Sequence, residues 1–253
     1  MNEHDPFYIG WEESSAPVLG KRLRALAAIV LAGALLTGLI FAAVQSHIEP
    51  STFEWGVVRS FSGQLLLEPI PRVVIFESNN PVAYYLVAPF KHGIEKDELA
   101  GMHGMQIELK GTLIQRGDAH MIEVIGGSVR LIDQQNSTSR DALKDSPMRS
   151  LGVVTLRGEI VDSKCHWGVM NPGDGIPHRA CAIRCISGGI PPVLRTRGED
   201  GKTDYFFLST ADGSRVSDAV VPFVAEPIEI SGEQFQQGSL KLLKGDFKSI
   251  RRL

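Results

Sequence analysis

The segment IELKGTLIQ at residues 107–115 has a near copy, IEISGEQFQ, at residues 228–236, and this repetition governs what the chain can fold into. Apolar and polar residues alternate in both segments, which is typical of half-buried β-strands. The similarity extends outward, because residues 83–132 and 204–253 are equal in length and align without a gap. The pattern therefore predicts an internal duplication of a β-rich unit.

Each copy is predicted to contain a strand, a short helix, a strand, a turn and a further strand, with the helices near 95–100 and 214–224. Upstream of the copies, FSGQL at 61–65 resembles LRGEI at 156–160, each an opening strand. The aligned positions combine turn glycines with apolar strand residues: Gly111 with Gly232, Gly117 with Gly238, Met121 with Leu242, Tyr84 with Tyr205, and Tyr85 with Phe206. About five strands with a helix between the third and fourth predict a small Greek-key barrel of the oligomer-binding type, the OB-fold.

We therefore predict a mainly β protein in which a single transmembrane helix precedes two tandem OB-like β-barrels. The predicted parts are a cytoplasmic N-terminal tail (1–24), a transmembrane helix (25–44), a first OB-like domain (52–133), a linker (134–150) and a second OB-like domain (151–253). The linker is rich in Ser, Asp and Gln, as a connector between domains is expected to be.

Residues 25–44 form an uncharged apolar stretch that is long enough to cross a bilayer as a helix. Lys21, Arg22 and Arg24 precede it, and only acidic charges follow it closely. Because positive flanks stay in the cytoplasm, we expect a cytoplasmic N-terminus in the inner membrane, with the C-terminal domains on the periplasmic side. A cleaved signal peptide is the alternative, but the long acidic leader and the length of the apolar core disfavour it.

The second copy carries an additional segment, predicted to be a helical insert at about 163–192. The distance from Gly63 to Tyr84 is 21 positions, whereas that from Gly158 to Tyr205 is 47. The extra residues include every cysteine of the chain. Since the first barrel is expected to fold without such a segment, the insert is not needed for a barrel core, and added segments are common places for functional sites.

The insert contains residues suited to binding a metal. Pro177 favours a helix start and Gly188-Gly189 a helix end, so His178, Cys181 and Cys185 should fall within roughly 60° of one another on one helix face. Cys165 follows a predicted strand and is expected to approach this face. The predicted ligands are therefore Cys165, His178, Cys181 and Cys185, with His166 as the alternative to His178.

Several chemistries remain open for these residues. Three sulfurs and one imidazole suit zinc in a closed tetrahedral site, and thiolates also suit copper or an iron–sulfur centre. The alternatives are a structural disulfide from Cys165 to Cys181 or Cys185, and a reactive thiol near the helix N-terminus. Asp162 is a candidate for hydrogen bonding a ligand imidazole. Trp167 is expected to pack inside the insert.

Composition argues against some functions. The formal net charge is −3 and no basic cluster is interleaved with aromatic residues, so we expect no nucleic-acid partner. No residue that would orient a catalytic base can be identified, which argues against hydrolase-type catalysis. We therefore predict no catalytic residue and favour a protein that is not an enzyme.

The segment 158–191, which contains the predicted ligands, resembles a segment found in a group of bacterial membrane-anchored or exported proteins. The group shares a Gly-Glu-Ile/Val-Val-Asp strand, then a cysteine, His-x-x-Cys-Ala-x-x-Cys and a Gly-x-Pro exit, matched here by 158–162, Cys165, 178–185 and 189–191. The resemblance implies an envelope location and association with a membrane-bound complex, such as a respiratory one. We thus expect a metal-binding or redox-centre protein that is accessory to a membrane redox system. A scaffold subunit with a structural disulfide and a thiol–disulfide redox enzyme are the alternatives.

Overall fold

The computed structural model describes residues 17–45, 50–132, 146–198, 201–211, 216–245 and 247–253. Two compact units are present, one ending at Glu49 and the other running from Pro50 to Leu253. In the first unit, helix α1 spans Pro17–Gln45, and its Pro17–Val44 portion is long and apolar enough to cross a membrane. By its length and composition, a helix of this kind near the N-terminus could serve as a membrane anchor or a signal sequence. Residues 1–16 of the predicted tail and 134–145 of the predicted linker lie outside the described residues.

The second unit begins with a closed five-stranded barrel. Its elements are β1 (Ser51–Phe53), β2 (Arg59–Leu66), β3 (Arg72–Glu77), β4 (Asn80–Val87), α2 (Lys96–Leu99), β5 (Gln106–Arg116), β6 (Ala119–Val124) and β7 (Arg130–Leu131). The barrel runs β5-β2-β3-β4-β6 and closes through pairing of β6 with β5. Strands β4 and β6 are parallel and the other barrel pairs are antiparallel.

A second closed barrel repeats this arrangement. Its elements are β8 (Arg149–Asp162), helix α3 (Gly175–Ser187), β9 (Pro192–Arg197), β10 (Thr203–Thr210), α4 (Val216–Val220), β11 (Pro227–Gln237), β12 (Leu240–Gly245) and β13 (Arg251–Arg252). The barrel runs β11-β8-β9-β10-β12 and closes through β12 and β11, again with one parallel pair, β10 and β12. A mainly β protein with two barrels, expected from the repeated strand pattern, is therefore confirmed.

The duplication has a physical basis in strand packing. A side chain at Gly111 would come within 2.6 Å of the Glu123 carbonyl oxygen, and one at Gly232 within 2.8 Å of the Lys244 carbonyl oxygen. These two pairs occupy equivalent places where β5 meets β6 and β11 meets β12. Glycine is therefore required at the same crossing in each barrel.

The gapless alignment is wrong by one residue in one strand. Tyr85 lies opposite Met121 in the first barrel, and Phe207 lies opposite Leu242 in the second. Since Met121 and Leu242 are equivalent, the structural partner of Tyr85 is Phe207, and the predicted Phe206 is displaced by one position. The second copy has one residue fewer between these paired positions, which a gapless comparison cannot represent.

The two barrels share an apolar core, and the segment between β8 and β9 contributes to it. This connection has 29 residues, from 163 to 191, whereas the equivalent connection between β2 and β3 has five. It contains a π-helical turn, Cys165–Val169, followed by α3. The Trp167 ring lies 5.7 Å from the rings of both Tyr85 and Phe207, measured between centroids, and Tyr85 lies 4.3 Å from Phe207. Trp167 is therefore a packing residue, as expected, but it packs between the two barrels rather than inside the insert.

Candidate metal centre

Helix α3 carries three of the predicted ligands. The backbone N–H of Gly175, at its first residue, donates to a Glu159 carboxylate oxygen of β8 at 2.6 Å. At its other end the N–H of Gly188 donates to the carbonyls of Arg184 and Cys185, at 3.0 and 3.1 Å. The predicted glycine stop is thus confirmed, and Pro177 lies in the first turn as predicted, two residues after the helix start. The helix buries His178 and Cys185 and leaves Cys181 half-buried.

The three sulfurs converge around Cys165. Its Sγ lies 3.9 Å from the Sγ of Cys181 and 3.9 Å from the Sγ of Cys185. All three cysteines are free thiols, and none forms a disulfide. Cys165 lies three residues after the end of β8, as the first residue of the π-helical turn.

Two overlapping groups of potential metal ligands result. Among the residues that the structure describes, Cys165, His178 and Cys181 form one group, and Asp162, Cys165 and Cys185 form the other. Within each group the ligand atoms lie within 4.8 Å of one another. The four predicted ligands are divided between these groups. Cys165 belongs to both, whereas Cys181 and Cys185 fall in different groups, and no group contains all four.

Asp162 positions two of the ligands. Its Oδ1 accepts the backbone N–H of Cys165 at 2.7 Å, and its Oδ2 lies 2.9 Å from Nε2 of His178. The hydrogen bond to Asp162 raises the pKa of His178. An imidazole that donates Nε2–H to a carboxylate keeps Nδ1 available for a metal, which is a common arrangement in metal sites. We therefore assign Asp162 the role of orienting the ligands rather than binding the metal itself, since both its oxygens already accept hydrogen bonds.

Lys91 reaches the cysteines from the first barrel. Its Nζ lies 2.8 Å from the Sγ of Cys181 and 3.7 Å from the Sγ of Cys185. The hydrogen bond with Cys181 raises the pKa of Lys91. The hydrogen bond from Cys165 lowers the pKa of Cys185 to about 7, with Lys91 adding to the effect, while the pKa of Cys165 is raised. The surroundings therefore favour thiolate at Cys185.

The first-barrel segment that carries Lys91 is held on both sides. The N–H of Gly93 donates to the carbonyl of Gly188 at 3.0 Å. The Nζ of buried Lys164 donates to the carbonyls of Ala88 and Phe90, at 2.9 and 2.7 Å. Lys164 also pairs with Glu123 of β6 at 2.5 Å. Sequence reasoning missed Lys91 and Lys164, because no local motif marks either residue and their contacts with Cys181 and Ala88 span more than 70 positions.

His166, the alternative ligand, lies apart from the sulfurs. Its Nε2 is 3.1 Å from the hydroxyl of Tyr205, and its Nδ1 is 3.6 Å from a carboxylate oxygen of Asp174. Burial lowers the pKa of His166 to about 3. It belongs to neither ligand group in the described part of the chain, whereas His178 belongs to one.

The spacing of the Cys165 sulfur from each of the other two sulfurs suits a tetrahedral metal ion. Two thiolates bound at about 2.3 Å with tetrahedral angles have sulfurs about 3.8 Å apart. The observed separations of 3.9 Å are close to this value and far from the length of an S–S bond. The donor set of three sulfurs and one imidazole therefore fits a soft or borderline metal.

Comparison with known proteins does not assign this chain to a family. A scan against protein-family models found no match to this chain, and a search of curated proteins found no significantly similar sequence.

Proposed function

We propose that this protein is a membrane-anchored envelope protein that binds a metal ion or redox centre through Cys165, His178, Cys181 and Cys185, in support of a membrane redox system. The proposal is carried by the free thiols of Cys181 and Cys185, whose sulfurs each lie 3.9 Å from that of Cys165. Asp162 supports it, because it orients both Cys165 and His178. Such supporting contacts are characteristic of metal sites.

The donor set narrows the metal to a few candidates. Zinc prefers four-coordinate Cys3His sites, and thiolate-rich sites also bind Cu(I) or an iron–sulfur centre. Three thiolates and a divalent ion leave one net negative charge, which the Lys91 ammonium can offset. Four protein ligands leave no open position on a tetrahedral ion, so a structural or electron-transfer role is favoured over catalysis.

The architecture and location form part of the same proposal. Each barrel pairs its third strand in parallel with its last and places a short helix before the fourth, as an OB-like barrel does. The segment 163–191 is then an insert between the first two strands of the second barrel. We place α1 as an uncleaved anchor, with the basic residues Lys21, Arg22 and Arg24 near its N-terminal end in the cytoplasm and the barrels on the periplasmic side. The resemblance to exported bacterial proteins favours a membrane-bound, respiratory partner, and the charge and composition argue against nucleic acid.

A scaffold subunit with a structural disulfide is the alternative. It requires Cys165 to bond to Cys181 or Cys185, which lie at equal distances from its Sγ. A disulfide would bring one of these separations to about 2 Å and leave the remaining thiol beside it.

Metal content and a visible absorption spectrum, measured on one sample of the full chain purified from membranes without chelator, test the proposal. We expect a stoichiometric metal. His178→Gln and Cys165→Ser should lose it, whereas the matched control His166→Gln should retain it. Absence of metal together with a disulfide found by mass spectrometry would favour the scaffold.

Location is tested separately on intact cells. We expect the chain to stay in the membrane fraction after an alkaline wash, and the barrels to become digestible by protease once the outer membrane is opened. Release of the chain by the wash would identify α1 as a cleaved signal sequence.

A further inference from the structure

The contact between Lys91 and Cys181 is unusually short. Their Nζ and Sγ atoms are 2.8 Å apart. A hydrogen bond from N–H to oxygen is about 2.9–3.0 Å long, and a bond to the larger sulfur atom is longer. The Nζ and Sγ atoms are therefore close enough for one small atom, such as oxygen, to bond to both.

The surroundings hold the two atoms in place. The backbone before Lys91 is fixed by Lys164, which binds the carbonyls of Ala88 and Phe90, and the backbone after it is fixed by the Gly93 hydrogen bond to Gly188. Phe90 itself adopts a left-handed conformation, with φ of +61°. The Lys91 amine thus approaches α3 from a constrained segment.

Cys181 is the cysteine most accessible to a small oxidant. Cys165 and Cys185 are 4% and 1% exposed, whereas Cys181 is only half-buried. Thiol oxidation follows access to the sulfur as well as its ionisation. Oxidation is therefore expected to begin at the sulfur that lies beside the amine.

We propose that Lys91 and Cys181 form a covalent N–O–S bridge when the metal-free site is oxidised by peroxide. One peroxide transfers an oxygen to the Cys181 thiol, which gives a sulfenic acid and one water. The Lys91 ammonium releases a proton to solvent, and the O–N bond then forms as one O–H and one N–H bond break. A second peroxide accepts these two hydrogens and becomes two waters. The thiol and the amine together lose four electrons, which the two peroxides accept.

The bridge has two consequences for the molecule. It links the first barrel covalently to the second, because Lys91 follows β4 and Cys181 lies on α3. It also removes Cys181 from metal binding and blocks the further oxidation of its sulfur to sulfinic and sulfonic acids. A thiol reductant returns the free amine and thiol. The bridge depends on the position of these two residues and not on the proposed metal.

Trypsin makes the bridge identifiable. Cleavage places the three cysteines in separate peptides, 165–179, 180–184 and 185–195, and a modified Lys91 leaves the peptide 73–96 uncut. Full-length protein in detergent is stripped with chelator, treated with hydrogen peroxide, digested and analysed by mass spectrometry. We expect 73–96 joined to 180–184, with the mass of one added oxygen less two hydrogens, and loss of the link on treatment with dithiothreitol.

Matched variants separate the bridge from general oxidation. Lys91→Arg keeps the positive charge but should abolish the link, whereas Lys110→Arg, on an exposed strand position, should retain it. Cys185→Ser should also retain it. Conversion of Cys181 to sulfinic or sulfonic acid without the link, or a disulfide from 180–184 to another cysteine peptide, would overturn the proposal. Metal content measured before stripping reports on the proposed function independently.

Discussion

Asp162 is the residue on which the geometry of the cluster depends, since its carboxylate contacts both the Cys165 backbone and the His178 ring. We expect Asp162→Asn to weaken metal affinity about 10- to 100-fold, because an amide orients the imidazole less strongly. Competition with a coloured chelator measures the change. Asp218→Asn, on α4, is the control and should bind as the native protein does. Equal metal affinities in the two variants would show that Asp162 does not support metal binding.

His166 gives the metal-free protein an acid-sensitive stability. The unfolded chain protonates this histidine near its ordinary pKa, but burial keeps the folded form neutral down to about pH 3. Its contribution is therefore present above about pH 6.5 and is lost as the pH falls, by at most about 1.4 kcal/mol per pH unit.

Urea unfolding of the full chain in detergent, with chelator, from about pH 7 to about pH 5 measures this loss. His166→Gln should flatten the slope of unfolding free energy against pH, while His92→Gln, at an exposed position, should leave the slope unchanged. An unchanged slope in the His166 variant would show that the acid sensitivity arises elsewhere.

At the scale of elements, the end of α3 and the segment after β4 fit together without room for a side chain. A methyl group at Gly188 would overlap the carbonyl oxygen of Lys91. We expect Gly188→Ala to lower the free energy of unfolding by about 1–3 kcal/mol, since the two elements must separate. Gly126→Ala is the control, because an added methyl there meets no atom within 4 Å. Equal urea midpoints for both variants would contradict this close fit.

At the scale of the whole molecule, a buried ion pair joins the two barrels. Lys164 extends from the end of β8 to Glu123 of β6, with its side chain only 2% exposed. We expect Lys164→Met to lower the free energy of unfolding by about 3–5 kcal/mol, because Glu123 and two carbonyls lose their partner. Lys96→Met breaks an exposed pair with Glu68 and should cost at most about 1 kcal/mol. Similar losses in urea unfolding would show that the buried pair is dispensable.

Much of the architecture could be predicted from local pattern. Strand alternation and repeated glycines depend on contacts between neighbouring residues and strands, so the two barrels and the equivalence of Gly111 and Gly232 follow from the printed residues. The start and end of α3 follow from Pro177 and the glycine pair in the same way. The register of β10 could not be predicted in this way, because a one-residue difference in the length of a connection does not change the local strand pattern.

The sequence alone is sufficient for the repeat, the apolar helix and the grouping of His178, Cys181 and Cys185 on one helix face, because each depends on periodicity within a short segment. The placement of Cys165 near them, the position of His166 outside both ligand groups, and the contacts of Lys91 and Lys164 depend on how the closed barrels pack together. Contacts across 70 to 90 positions form only when both barrels and their shared core are complete. No spacing rule along the chain contains that information.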